Sequence, residues 1–483
     1  MEIKMKQQDW IFFLLCLLLG IVAEEALFRG QIGVSYFVFI VVFYSIFFWR
    51  FRSFSFSHQR IGYFLLIIIW ILAAGYYLYD TALFYGLNIL VIPGLVILHL
   101  VLITSPKTMK WNQLFFSPYI ILRLMDGIRY NYHFTKSAAV KSKGNKGEER
   151  FLVWKKILIG ILISVPILFI ILNLLIEADS QFDRLVGRLP ELLSLRVDYI
   201  FRVVIILIYA FGFFGFLQAL SQKRTPVKEL AVRPVIMDGV ITITVLVLLD
   251  LVYILFVAVQ FKYFFSGSLE AGFTYAEYAR RGFFELLFVT LINLTVIIGV
   301  ICLSKDVHGY LKQSIRTALS ILVLSSGVIL VSAFMRMALY EEVYGFTFTR
   351  ILVHSFMLFL LVIFAYTLVK IWLEKLSLFH FYFIASLLYY AGINVVNIDQ
   401  MVVDRNLSRY EETGKIDIQY LHYLSSTGRL GLIELYEKHP QTPGLKELLT
   451  QQKAEREYSN SNSWQSYNVT RQRVYEELSK LDL

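Results

Sequence analysis

At the end of the first apolar run the chain reads "AEEALFRG", which places Glu24, Glu25 and Arg29 in a Glu-Glu-x-x-x-Arg pattern. Adjacent carboxylates of this kind can hold and activate a water for peptide-bond cleavage within a membrane, provided that partner side chains complete the water site. The pattern resembles that of a known class of intramembrane protease, and the resemblance implies Phe-x-x-x-His or Phe-x-x-x-Asn on one helix and His-x-x-x-Asn or His-x-x-x-Asp on another. Phe54-x-x-x-His58 has the right spacing but falls between the second and third apolar runs, and Phe84-x-x-x-Asn88 lies on the fourth. No His in the chain is followed four residues later by Asn or Asp. A three-residue pattern also recurs by chance, so no catalytic residue is assigned. The stretch reads as an i, i+4 pair of Glu25 and Arg29 that closes the first helix at the membrane surface.

Other ionisable residues interrupt later apolar runs, and each costs several kcal/mol in hydrocarbon unless paired or hydrated. Asp250 lies deepest, within "VLLDLVYILF"; Glu285, Arg336 and His354 stand near the ends of their runs, and Asn293, Asn394 and Asn397 add neutral groups. Ahead of Glu285, "YAEYARRGFFE" supplies Glu277, Arg280 and Arg281. Helical spacing puts Glu277, Arg281 and Glu285 on one stripe, as a self-satisfied ladder or an anchor for an anionic ligand. Asp250, Glu277, Arg280, Arg281, Glu285, Arg336 and His354 are therefore the candidate polar or ligand site. Ion pairing that merely fixes helix packing, such as Arg336 with Asp250 or Glu285, is the competing account. No Walker loop, metal-spaced His/Asp cluster or Gly-x-Ser-x-Gly elbow is encoded, and no metal or cofactor is expected.

The elements that position these residues follow from composition. The chain of 483 residues is 57% hydrophobic and 17% charged, against about 25% charged in soluble domains. Its mean hydropathy is +0.63. A spanning helix needs roughly 20 apolar residues, and eleven runs qualify: 10–28, 32–49, 61–79, 82–104, 155–177, 197–220, 235–260, 283–303, 315–337, 350–372 and 378–396. Lys and Arg concentrate in alternate connecting segments, with eleven in 105–156 alone, which places the N-terminus in the cytoplasm and the C-terminus outside. The net charge of +10 is thereby a topology signal, and no nucleic-acid partner is expected. Cys16 and Cys302 both lie in apolar runs and give no disulfide framework.

The expected fold class is all-α: a polytopic membrane protein with about eleven transmembrane helices and a small helical extracytoplasmic domain. Residues 1–104 form a four-helix group and 105–154 a basic cytoplasmic loop. Within that loop "SPYIILRLMDGIRYNYHF" predicts a helix lying in the interface. Residues 155–396 form a seven-helix group. From 397 the chain turns polar, with apolar residues at helical intervals between Pro440, Pro443 and a Ser/Asn-rich turn, so 397–483 reads as the external domain. Pro93-Gly94, Pro166, Gly212 and Gly215 mark spans that could be broken.

"YAEYARRGFFELLFVTLINL" (275–294), "EADSQFDRLV" (177–186), "NIDQMVVDRNLSRYEETGKIDIQYL" (397–421) and "GIVAEEALFRGQIGVS" (20–35) resemble an uncharacterised family of bacterial, mainly Gram-positive, polytopic membrane proteins. Its members are known only as a domain of unknown function. The resemblance implies a multi-pass protein of the bacterial cytoplasmic membrane and carries no catalytic residues across. Three functions stay open. One is a non-enzymatic envelope accessory, sensing or partner-binding protein that meets an envelope or membrane protein through 397–483. The second is a transporter or lipid-handling protein using the outer polar site. The third is a glutamic intramembrane protease, to which the Glu24–Glu25 pattern is similar. In each, the lipid bilayer is the constant partner.

Overall fold

The computed structural model describes residues 7–112, 116–143, scattered positions within 152–175, and then 180–222, 237–266, 283–304, 307–458 and 463–482. All regular elements among them are helices. In chain order these are α1 (Gln7–Phe28), α2 (Val34–Arg50), α3 (Gln59–Leu78), α4 (Ala82–Thr104), α5 (Phe116–Lys143), α6 (Ser180–Ser221), α7 (Gly239–Ser266) and α8 (Phe283–Leu303). They continue as α9 (Gly309–Tyr344), α10 (Phe348–Trp372), α11 (Leu378–Val395), α12 (Ile398–Thr413), α13 (Ile418–Leu424), α14 (Ser426–Lys438), α15 (Leu445–Tyr458) and α16 (Val469–Lys480). Among the described residues nine helices are long and apolar enough to cross a membrane: α1, α3, α4 and α6–α11. α2 is equally apolar at 17 residues, about 25 Å at 1.5 Å per residue. The expected run 155–177 lies outside the continuously described residues. Pro93 does not break α4, which continues through it to Thr104.

The chain divides into two compact units: 1–77, 90–225 and 461–467 in one, and 78–89, 226–460 and 468–483 in the other. In the first unit α1 lies antiparallel to α6. The ends of the pair are marked by Gln218 donating to Asp9 at 2.9 Å and by Arg202 donating to Glu24 at 2.9 Å. Gly20 permits the close approach, since a Cβ there would sit 2.5 Å from the Ile206 carbonyl oxygen. α5 packs along the last turns of α6. Its Arg123 donates to the carbonyls of Leu220 (3.3 Å) and Gln222 (3.1 Å), satisfying acceptors that a helix end leaves open. Asn131 reaches the Phe211 carbonyl at 2.7 Å. Ile121, Met125 and Ile128 stand exposed on α5, at spacings of four and three residues that form one apolar stripe.

In the second unit α7–α10 share a core centred on Leu322, Leu330, Ala333 and Met357, all fully buried. A separate core joins α12–α16: Val402, Val403, Leu432, Leu445 and Leu449 are fully buried, with Phe84 of α4 among them. Local chemistry sets the helix ends. Asn397 caps α12 by accepting from Gln400 N–H, Gly414 (φ 67) closes it, and Asp417 caps α13.

Candidate functional site

The Glu-Glu pattern resolves into a closed ion cluster. Arg202 of α6 donates Nε to Glu24 Oε1 (2.9 Å) and Nη2 to Glu24 Oε2 (3.1 Å) and Glu25 Oε1 (2.7 Å). Arg29 Nε adds to Glu24 Oε1 at 3.2 Å, and Gln465 Nε2 takes Glu25 Oε2 at 3.0 Å. All four carboxylate oxygens are occupied by donors, three of them by guanidinium groups. Arg29 therefore pairs with Glu24 rather than with the expected Glu25. The deciding residue, Arg202, is far away in sequence, and its signal was a lone Arg within the apolar run 197–220. Phe84 and Asn88 serve elsewhere: Phe84 packs in the α12–α16 core, and Asn88 bonds to α11.

In the second unit, α7, α8, α9 and α10 bring polar side chains together at successive levels. Ser332 Oγ and Arg336 Nη2 of α9 both donate to Gln260 Oε1 of α7, each at 3.1 Å. Asn293 Nδ2 of α8 donates to Ser326 Oγ of α9 at 2.9 Å, and Tyr253 of α7 shares a hydrogen bond with Asn293. Since Tyr253 is linked to Ser326 through Asn293, and Gln260 bonds to Ser332, α7 and α9 run parallel. Asp250, one turn before Tyr253 on α7, is buried at 5% exposure. Toward the end of α9, Glu341 Oε2 lies 3.1 Å from His354 Nδ1 of α10, while His354 Nε2 faces the Phe334 carbonyl at 3.4 Å. Three buried acceptors, Asp250 Oδ1, Asn293 Oδ1 and Glu341 Oε1, find no hydrogen-bond partner among the described residues.

Of the seven sequence candidates, Asp250, Arg336 and His354 belong to this column of polar residues. Glu285 stands in the first turn of α8 on its exposed side. Glu277, Arg280 and Arg281 lie outside the described residues. Sequence reading missed Gln260, Ser332 and Glu341. Glu341 was missed because the ninth run was taken to end at 337, whereas α9 continues to Tyr344. The usable signal was "YEEVY", an acidic pair directly after an apolar run.

Residues 66–435 match the family described as Domain of unknown function (DUF4153). The chain belongs to this family. The matched stretch takes in the polar column and leaves Glu24, Glu25 and Arg29 outside it. Comparison with curated proteins and with solved structures gave no match.

Within the stretch shared with the family lies a second polar assembly, where the α3–α4 turn meets α12–α14. Asp80 Oδ1 accepts the backbone N–H of Ser426 at 3.1 Å and Asp80 Oδ2 accepts its hydroxyl at 2.5 Å, so a carboxylate 346 residues away sits at the N-terminus of α14. Thr81 Oγ1 donates to Asp399 Oδ2 at 2.7 Å. Tyr390 OH donates to Asn88 Oδ1 (2.7 Å) and Asn88 Nδ2 to Asn394 Oδ1 (2.8 Å). The α9–α10 turn joins as well, through Asn406 Nδ2 to the Phe346 carbonyl (2.8 Å) and Phe348 N–H to Tyr420 OH (2.7 Å). Burial pushes the Asp399 carboxyl above its usual range; the Thr81 hydroxyl opposes this, and the Asp80 charge adds to it.

Proposed function

We propose that this is a non-enzymatic, multi-pass protein of the bacterial cytoplasmic membrane whose 397–483 segment is an extracytoplasmic partner-binding or sensing domain. One observation carries the reading. The domain gathers an apolar core that also takes in Phe84 of α4, and it is hydrogen-bonded through Asp80, Thr81, Phe346 and Phe348 to the turns between spans. An event on its surface therefore reaches the membrane helices through directed bonds rather than through a slack tether. Tyr423 on α13 is 79% exposed and is an aromatic anchor of the sort that interfaces favour. Affinity purification of the full-length chain from its native membrane tests this, with wild type and Tyr423→Ala compared. A protein held by the wild type and released by the variant supports the reading. Absence of any co-purifying protein would overturn it.

Eleven spans with the N-terminus inside belong to the same proposal, and the turn contacts support the count. Turns α3–α4 and α9–α10 both bond to α12–α16, so they share one side. The described spans between them are α4 and α6–α9, an odd number of crossings. The run 155–177 expected from sequence supplies the even count. The "YAEYARRGFFE" stretch is offered as the family's signature on the same footing.

The polar column favours a second reading, transport or lipid handling. Three unpartnered buried acceptors, among them the carboxylate atoms Asp250 Oδ1 and Glu341 Oε1, suit a proton or cation better than static packing, because an unmet buried acceptor costs roughly 1–3 kcal/mol. Proteoliposome uptake assays on Asp250→Asn and Glu341→Gln decide it. Flux unchanged in both variants removes this reading.

A further inference from the structure

The turn joining α2 to α3 belongs to neither assembly and is built with unusual care. Ser57 N–H donates to the Ile103 carbonyl at 2.8 Å, and Ser57 Oγ reaches the carbonyls of Leu102 (3.2 Å), Ile103 (3.3 Å) and Ser105 (2.5 Å). The turn is thereby pinned to the C-terminal end of α4. His58 follows at φ 47, a left-handed conformation that is uncommon for a residue with a side chain and persists only where the surroundings enforce it. The first bond of α3 runs from Gly62 N–H to the His58 carbonyl at 3.0 Å. The N–H groups of Gln59, Arg60 and Ile61 precede that bond, have no acceptor within the helix, and carry its positive end.

This first turn lines a cavity of about 420 Å³, to which His58, Gln59, Arg60 and Lys107 contribute, with Phe56 and Ile61 as apolar walls. No acidic residue lines it. Arg60 and Lys107 are exposed and enter no ion pair among the described residues. His58 Nε2 is buried and has no hydrogen-bond partner among the described residues. The location narrows the ligand. α3 starts and α4 ends at this cavity, and both are spans by length and composition, so it lies at headgroup depth, where phosphodiesters concentrate.

We propose that this cavity binds a phosphate group, supplied at this depth by the headgroup of an anionic membrane lipid. Arg60 and Lys107 provide the charge and the first turn of α3 the aligned N–H donors. The full-length protein in phosphatidylcholine nanodiscs, with and without phosphatidylglycerol, tests the assignment by thermal denaturation. Inorganic phosphate titrated into the phosphatidylcholine nanodiscs forms a parallel arm. Phosphatidylglycerol is expected to raise the melting temperature of the wild type. Arg60→Gln and Lys107→Gln together should remove most of that gain, each weakening binding roughly fivefold. The exposed pair Arg52→Gln and Lys110→Gln, which does not line the cavity, should keep the gain. A gain from inorganic phosphate with the same variant sensitivity upholds the phosphate site and assigns it to the free anion. No gain from either probe, or a gain equally lost with Arg52→Gln and Lys110→Gln, overturns the proposal. Melting of each variant in phosphatidylcholine alone checks that these surface substitutions leave folding intact.

Discussion

Arg202 decides what Glu24 and Glu25 can do. Two guanidinium groups donate to both oxygens of Glu24, so donors already occupy the positions from which a general base would hold its water. Glu24 is 2% exposed, so it leans on protein donors rather than on water. Arg202→Gln is expected to lower the melting temperature clearly in detergent, because it removes the two-pronged partner of a buried carboxylate and leaves Arg29 alone to pair it. Adding Glu24→Gln should recover part of the loss, which a double-mutant cycle reads directly. Cleavage of a membrane peptide that disappears with Glu24→Ala would reverse this view. Asp399 presents the opposite electrostatics. Its folded-state pKa is raised chiefly by burial, so the folded state holds the proton more tightly than the unfolded chain. That contribution to stability is fully present below the ordinary carboxylate range and is lost as pH rises through the raised value. Asp399→Asn should therefore stabilise the protein at neutral pH, with a gain that shrinks as the pH is lowered. An equal gain at every pH would show that charge is not its cause.

Helices meet in this chain through small residues and caps, and these respond to substitution in a graded way. Gly33, just before α2, leaves space for the chain at 465–467: a Cβ there would lie 2.5 Å from the Tyr467 carbonyl oxygen and 2.9 Å from that of Gln465. Gly33→Ala should push that segment away, break the bond from Val34 N–H to Tyr467 O (3.0 Å), and cost about 1–3 kcal/mol as overpacking does. Hydrogen exchange at Val34 should speed up accordingly. In the α12–α16 core, Leu432→Ala should cost about 2–5 kcal/mol for a fully buried leucine. Asn397, Asp417 and Asn468 cap helices, and none of these caps is assigned from sequence, where Asn397 stands among the neutral groups of the apolar runs. Contacts such as Asp80 with Ser426 were not legible in sequence either, because a lone acid in a turn looks the same whether its partner is water or a helix start 346 residues on. The column of polar residues was half visible. Asp250, Arg336 and His354 stood out against apolar neighbours, whereas Gln260 and Ser332 are residue types that membrane helices tolerate singly.

At the scale of the whole chain, apolar composition and Lys/Arg placement make one prediction about sidedness, and the turn contacts make another that does not depend on charge. Turns α3–α4 and α9–α10 lie on the side of α12–α16, since both bond to it. The cavity at His58 and Lys107 sits at the opposite ends of α3 and α4. Charge bias assigns that second side to the cytoplasm, because Arg52, Arg60, Lys107 and Lys110 gather there. The two lines agree only if 397–483 is outside. Single cysteines in a Cys16→Ser, Cys302→Ser background read this out: Ser408→Cys on exposed α12 and Lys107→Cys at the cavity. An impermeant thiol reagent should label Ser408→Cys in intact cells and Lys107→Cys only after permeabilisation. The reverse pattern would invert the charge argument while leaving the parity of the turns untouched. Labelling of both in intact cells would break the parity itself, because α3 and α4 would then no longer separate their two ends.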